Sequence, residues 1–170
     1  IKAEKPDLAH AHLFWGNISP SIFSVLRKHG IPLIHTAHDY RMVCPAYTFT
    51  DTSGNVCETC RGKHFFWCAV KRCSKGNPLE SLIMAAEMYY RNAFFSPVKN
   101  LDGVIYVSNF SKQKHLQYNP NFSEVPDMAL YNFVSEKNSD FLAQNKRSYF
   151  IYFGRLSHEK GLHTLIEAFR

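Results

Sequence analysis

Two rhythms alternate along this chain. Asp7-Leu8-Ala9-His10-Ala11-His12, following Pro6, reads as a short strand. Ser19 and Pro20 then open a helix, with Ile22, Val25, Leu26 and His29 at helical spacing and Gly30 as its stop. Pro32-Leu33-Ile34-His35-Thr36 is a second strand. Strand, helix and strand in so short a stretch make a βαβ unit, which predicts parallel pairing through a right-handed crossover.

From His38 to Pro78 the rhythm stops, and loops this long are often functional. It resumes from Leu79 to Phe95, where Leu82, Ile83, Ala86 and Tyr90 share one helical stripe. Packing into the core is the expectation for that stripe, with docking of a lipid-linked acceptor as the lesser alternative. Asp102-Gly103-Val104-Ile105-Tyr106-Val107 is nearly continuous in apolar character, as a strand covered on both faces should be. Ser108 or Asn109 caps a helix running to about Tyr118, and Pro120 closes it. Val125 to Tyr131 gives another strand. Phe133 to Arg147 is polar and irregular, a candidate linker. Tyr149-Phe150-Ile151-Tyr152-Phe153 predicts a last strand, followed by a turn and a helix from about Lys160. The expected fold is α/β, with a doubly wound, Rossmann-like parallel sheet.

Composition narrows this reading. An apolar share of 45% against 20% charged residues excludes a mainly disordered chain. The most apolar stretch, Leu82 to Phe95, is broken by Glu87 and Arg91, which argues against a membrane span. A net charge of +6 calls for an anionic partner: nucleic acid, a nucleotide, a phosphorylated substrate or an acidic membrane face. The five cysteines all lie between Cys44 and Cys73, and their odd number fits a disulfide framework poorly. A reduced, cytoplasmic protein with a local metal site is the better expectation. The chain opens on Ile1-Lys2-Ala3-Glu4, with no leader pattern, and ends at Arg170 inside an apparent helix. A fragment cut at both ends is expected.

In open α/β sheets ligands sit beyond the carboxyl ends of the strands. Four features fall there: His12, the pair His38-Asp39, Ser108-Asn109, and the turn Gly154-Arg155-Leu156. The segment Gly154 to Gly161 suits phosphate. Glycine permits close backbone approach, Arg155 offers a two-pronged fork, and Lys160 adds a compact charge near a helix start. A βα turn carrying a solvated basic pair is the plainer alternative. Cys57 and Cys60 form a CxxC knuckle that sets two thiolates on one metal ion. Reduced, partly buried thiols remain the alternative there.

Tyr149-Phe150-Ile151-Tyr152-Phe153-Gly154-Arg155-Leu156-Ser157-His158-Glu159-Lys160-Gly161 resembles the donor-site segment that opens the C-terminal domain of family-4 glycosyltransferases, with His158 where Pro is more usual. Pro6 to His12, Gly30 to Tyr40 and Asp102 to Ser111 resemble further family segments in the right order. So does Ala129 to Val134, although Tyr131 stands for the usual Pro and Phe133 for the usual Gly. The resemblance implies a retaining enzyme of two-domain GT-B architecture. Residues 1–145 would be the second half of the N-terminal, acceptor-side domain, with a cysteine-containing loop insert at about 40–78. Residues 146–170 would begin the donor-binding domain.

It further implies that Gly154, Arg155 and Lys160 bind the donor diphosphate, and that His38 lies near the reacting sugar with Asp39 orienting it or binding an acceptor hydroxyl. His12, Ser108 and Asn132 would line the cleft, while His10 and His35 are expected to be structural. A subset of bacterial members has a similar insert. Zinc held by Cys44, Cys57, Cys60 and Cys73, with Cys68 spare, is the favoured ligand set. That zinc would be structural, and no catalytic metal is expected.

The function implied is transfer of a sugar from a nucleotide-sugar donor to a saccharide or lipid-linked acceptor, as in bacterial surface-polysaccharide synthesis. Peripheral contact with the inner membrane face would suit a lipid-linked acceptor. The family's C-terminal carboxylate pair lies beyond Arg170, so this stretch alone is expected to be inactive. Two alternatives stand beside it. One is a basic zinc-knuckle module for nucleic acid, disfavoured because the basic residues are scattered. The other is a GT-B phosphorylase or epimerase.

Overall fold

The computed structural model describes residues 3–14, 18–133, 149–156 and 160–169. The chain divides into two compact units, Ile1–Asn132 and Phe133–Arg170. The division falls at the start of the polar stretch, and residues 134–147 of the expected linker, with the expected boundary at about 145, lie outside the described residues.

The first unit contains β1 (Ala9–Ala11), α1 (Ser21–Lys28), β2 (Leu33–Ala37), α2 (Phe66–Val70), α3 (Pro78–Phe94), α4 (Pro97–Asn100), β3 (Gly103–Tyr106), α5 (Asn109–Tyr118) and β4 (Asp127–Ala129). The sheet order is β1-β2-β3-β4, and every pairing is parallel. Its register sets Ala11 beside His35, Ala37 beside Tyr106, and Tyr106 beside Ala129. The Asp102 carboxylate accepts a 2.8 Å hydrogen bond from the Leu33 amide, fixing the amino ends of β2 and β3.

Local chemistry explains most element ends. Gly30 stops α1 with φ +68°, a backbone region that glycine enters without steric cost. Ser108 caps α5, its hydroxyl accepting from the Ser111 amide at 3.0 Å. Asn77 caps α3, accepting from the Leu79 and Glu80 amides ahead of Pro78 at the first helical position. In α1 the cap position falls on Pro20, one residue later than expected, and Ser19 contributes only a long 3.4 Å contact to the Ser21 amide.

The pleat sends alternate residues to opposite faces. One face, with Leu33, Ala37, Val104 and Tyr106, packs in a single core with Phe23 and Leu26 of α1 and Tyr118 of α5. The other carries His10, Ile34, Ile105 and Met128, which are half-buried or exposed. β3 therefore alternates in burial instead of being covered throughout. Thr36, on the same face as Ile34, is buried. The four-stranded parallel sheet with its helices is consistent with a Rossmann-like α/β fold, and among the described residues its strand order does not reverse.

The second unit departs further from expectation. Tyr149 to Phe153 forms no strand, and most of its side chains are exposed. A strand needs a ladder partner, and none of the described residues provides one. The expected helix is present as α6 (Leu162–Ala168), entered through Gly161 at φ +67°.

Two buried histidines link this core to pH. His35 Nδ1 donates a 2.8 Å hydrogen bond to Ala11 O, and His115 Nδ1 donates one of the same length to Ser111 O. Burial lowers each from the ordinary 6.5 to about 4. The unfolded chain then binds more protons than the folded one between pH 6.5 and 4. Stability is complete above pH 6.5 and falls as pH drops towards 4, by up to about 3 kcal/mol per histidine. Urea titrations across that window should show a loss that is reduced in a His115→Gln variant.

Candidate functional site

The parallel register brings residues from distant parts of the chain to one carboxyl edge. His12 follows β1 and His38 follows β2. Their rings meet there, His12 Nδ1 to His38 Nε2 at 2.9 Å and ring centroids 5.2 Å apart. One ring must donate and the other accept, so the pair holds when at least one ring is neutral. His10 extends the array, with its ring 4.3 Å from that of His12 and its Nε2 2.8 Å from Thr36 Oγ1. Burial and the two neighbouring imidazoles lower the His10 pKa. Alternation within a strand had marked His10 as structural, yet the same alternation puts it on one strand face with His12, two residues on.

Asp39 has a different partner from the one expected. Its carboxylate accepts from the Arg41 amide and from Arg41 Nε, both at 3.0 Å. The ring partner of His38 is thus His12, while Asp39 shapes the turn. Arg41 also lies over the Tyr47 ring, 4.2 Å from its centroid. Ser108, expected in the cleft, sits beyond β3 with its hydroxyl engaged as the α5 cap. Asn132 is exposed a few residues past β4. Beside it Tyr131, the departure from the usual Pro, accepts from the Asn109 amide at the start of α5.

Next to this edge Arg91 of α3 is 1% exposed. It donates to Arg41 O at 2.8 Å, pairs with Glu87 across 3.1 Å and touches Met88 Sδ. Burial lowers its pKa to about 10, against the opposing pull of Glu87. Arg91 is a strut between α3 and the Asp39–Arg41 turn. A groove of about 160 Å³ opens there, lined by Arg41, Pro45, Ile83, Met84, Glu87 and Met88 with Arg91. The Glu87–Arg91 spacing of four was the one sequence signal for this strut.

The insert draws its cysteines together. Cys44, Cys57, Cys60, Cys68 and Cys73 are all reduced, and all line one small cavity with Pro45, Ala46, Phe49 and Thr50. No group of three or more His, Cys, Asp or Glu side chains among the described residues is already disposed to hold a metal ion. Burial raises Cys44 to about 11 and Cys60 to about 12. For Cys57 burial also acts upward, but hydrogen bonds from Thr59 and the Lys71 charge outweigh it and leave the pKa lowered. Lys71 Nζ stands 3.6 Å from Cys57 Sγ and 2.6 Å from Thr59 Oγ1. An ion pair between Lys114 of α5 and Glu58 ties the knuckle to the sheet unit.

In the second unit Arg155 and Lys160 are exposed. Tyr152 donates from its hydroxyl to Arg155 O at 3.0 Å. Gly154, at φ +149°, holds a backbone conformation that side-chain-bearing residues rarely adopt, and a Cβ there would push aside the Tyr152 hydroxyl 2.9 Å away. His158 lies outside the described residues.

Comparison with protein-family models, curated proteins and solved structures returns no match to this chain.

Replacing Arg91 with Leu should destabilise the protein by about 1–3 kcal/mol, because the Arg41 carbonyl would lose its donor and the half-exposed Glu87 its ion-pair partner. The double replacement with Glu87→Leu should recover part of that loss. Chemical denaturation of both variants measures it.

Proposed function

We propose that this chain is the acceptor-side half-domain and donor-site segment of a retaining, GT-B-type glycosyltransferase. The reaction is transfer of a sugar from a nucleotide-sugar donor to a saccharide or lipid-linked acceptor. The C1–O bond to the nucleoside diphosphate breaks, and a C1–O bond to the acceptor hydroxyl forms on the same face. The hydroxyl proton leaves with the diphosphate. The observation that carries this reading is the meeting of His12 and His38 at the carboxyl edge of adjacent parallel strands, where α/β enzymes bind their ligands.

In this reading His12 engages His38 Nε2, leaving Nδ1 to a sugar hydroxyl near the anomeric centre. Asp39, held by Arg41, fixes the turn that presents His38. Arg155 and Lys160 neutralise the departing diphosphate, and Gly154 lets the backbone come close to it. The leaving group is stabilised by cationic side chains.

Zinc in the cysteine cavity fits the same proposal as a structural element. Cys57-x-x-Cys60 supplies two thiolates, and Cys44 and Cys73 complete the favoured set in a cavity that Cys68 also lines. The local backbone needs such a pin. Five of the six non-glycine residues with positive φ among the described residues, Tyr47, Phe49, Lys63, Arg72 and Lys75, lie in this insert.

The first test screens UDP-, GDP- and ADP-sugars for thermal stabilisation of the full-length gene product. One donor should stabilise it, and Arg155→Ala should weaken that donor about 10- to 100-fold, the loss of one charged hydrogen bond. Absence of stabilisation by every donor would overturn the reading. A second test measures metal content. About one zinc per chain is expected, with its loss on Cys57→Ser plus Cys60→Ser lowering the melting temperature, whereas Cys68→Ser retains it.

A further inference from the structure

Helix α3 is built inside out. Its inward face holds Ser81, Ala85, Met88 and Arg91. Its outward face holds Leu79, Leu82, Ile83, Tyr90 and Phe94, exposed by 65, 56, 60, 57 and 66%. These positions follow helical spacing, so they form one apolar stripe along the helix. The expected core packing of Leu82, Ile83, Ala86 and Tyr90 is therefore overturned. The neighbouring chain takes the inward side through the Arg91 strut and the tight Ala85 and Ser81 contacts, and leaves the large side chains outside.

Helix α2 adjoins this stripe. The Phe65 and Tyr89 rings lie 5.2 Å apart, and the Phe66 amide donates to the Tyr89 hydroxyl. α2 itself exposes Phe66, Trp67 and Val70. Around it run Arg61, Lys63, Lys71, Arg72 and Lys75, with no carboxylate anywhere from residue 61 to residue 75. All five of these cations are exposed, so the exposed aromatics of α2 are flanked by positive charge on both sides in sequence, against Glu80 and Glu87 on α3.

We propose that α2, α3 and the basic segment 61–75 form a docking surface for an anionic lipid bilayer. Aromatic rings and long aliphatic side chains enter the boundary between headgroups and acyl chains, while the cations meet the lipid phosphates. Arginine and lysine stems extend the apolar area with their charged ends in the headgroup layer. A second copy of this chain fits less well, since its own cations would face these. Nucleic acid would use the cations and the rings of Phe66 and Trp67, but it gives no role to the four-turn stripe of Leu79, Leu82, Ile83 and Phe94. The inference does not depend on the proposed sugar transfer.

The test is co-sedimentation of the full-length gene product with vesicles of phosphatidylcholine alone, or of phosphatidylcholine and phosphatidylglycerol in equal parts. Binding to the mixed vesicles is expected, at least tenfold stronger than to phosphatidylcholine alone and reduced by salt. Leu82→Ser with Trp67→Ser should weaken it at least tenfold, and Arg61→Glu should weaken it at low salt. Melting temperatures of these surface variants should match the parent, which separates lost docking from lost folding. Binding equal on both vesicle types, or no binding, would overturn the proposal. So would a dimer that Leu82→Ser abolishes without any effect of lipid, or salt-sensitive retention on nucleic acid in place of vesicles.

Discussion

Everything at the candidate site depends on the parallel pairing of β2 with its two neighbours. A parallel ladder places all carboxyl ends at one edge, so residues far apart in sequence arrive at one place. His12 and His38 are 26 positions apart and meet at 2.9 Å because Ala11 lies beside His35. Hydrogen bonding of the Leu33 amide to Asp102 sets the other end of the same register. A slip of one residue would turn His35 and Tyr106 out of the core and His38 away from His12.

The sequence made the strands, the main helices and the carboxyl-edge residues legible, because period and caps are local signals. Three features were not local. Periodicity in α3 revealed a stripe but not which side the rest of the chain would occupy, and the buried guanidinium of Arg91 decided that. Tyr149 to Phe153 has the composition of a strand, yet composition supplies no hydrogen-bond partner. Of the cysteines only Cys57 and Cys60 announce their proximity. The convergence of Cys44, Cys68 and Cys73 upon them depends on the path of a loop without regular structure. Asp39 was legible at the turn after β2 but not as the partner of Arg41, a contact made two residues away within one turn.

The insert and the sheet are joined through a few defined contacts. Tyr40 packs on Phe49 and His115, and its carbonyl accepts from the Cys44 amide at 2.7 Å. Phe49 O in turn accepts from the Cys57 amide at 2.7 Å. The cysteine cavity and the His38 turn are thus separated by one aromatic layer. Meanwhile Cys60, Phe65, Cys68, Ala85 and Met88 form a second, smaller core of their own. A core that small holds its loops weakly by burial alone.

The unreversed strand order has a consequence for how the chain is made. In β1-β2-β3-β4 each strand pairs with the one synthesised before it. No strand has to insert between two that are already paired. During synthesis the sheet can lengthen at its growing edge, the long insert being accommodated between the second strand and the third.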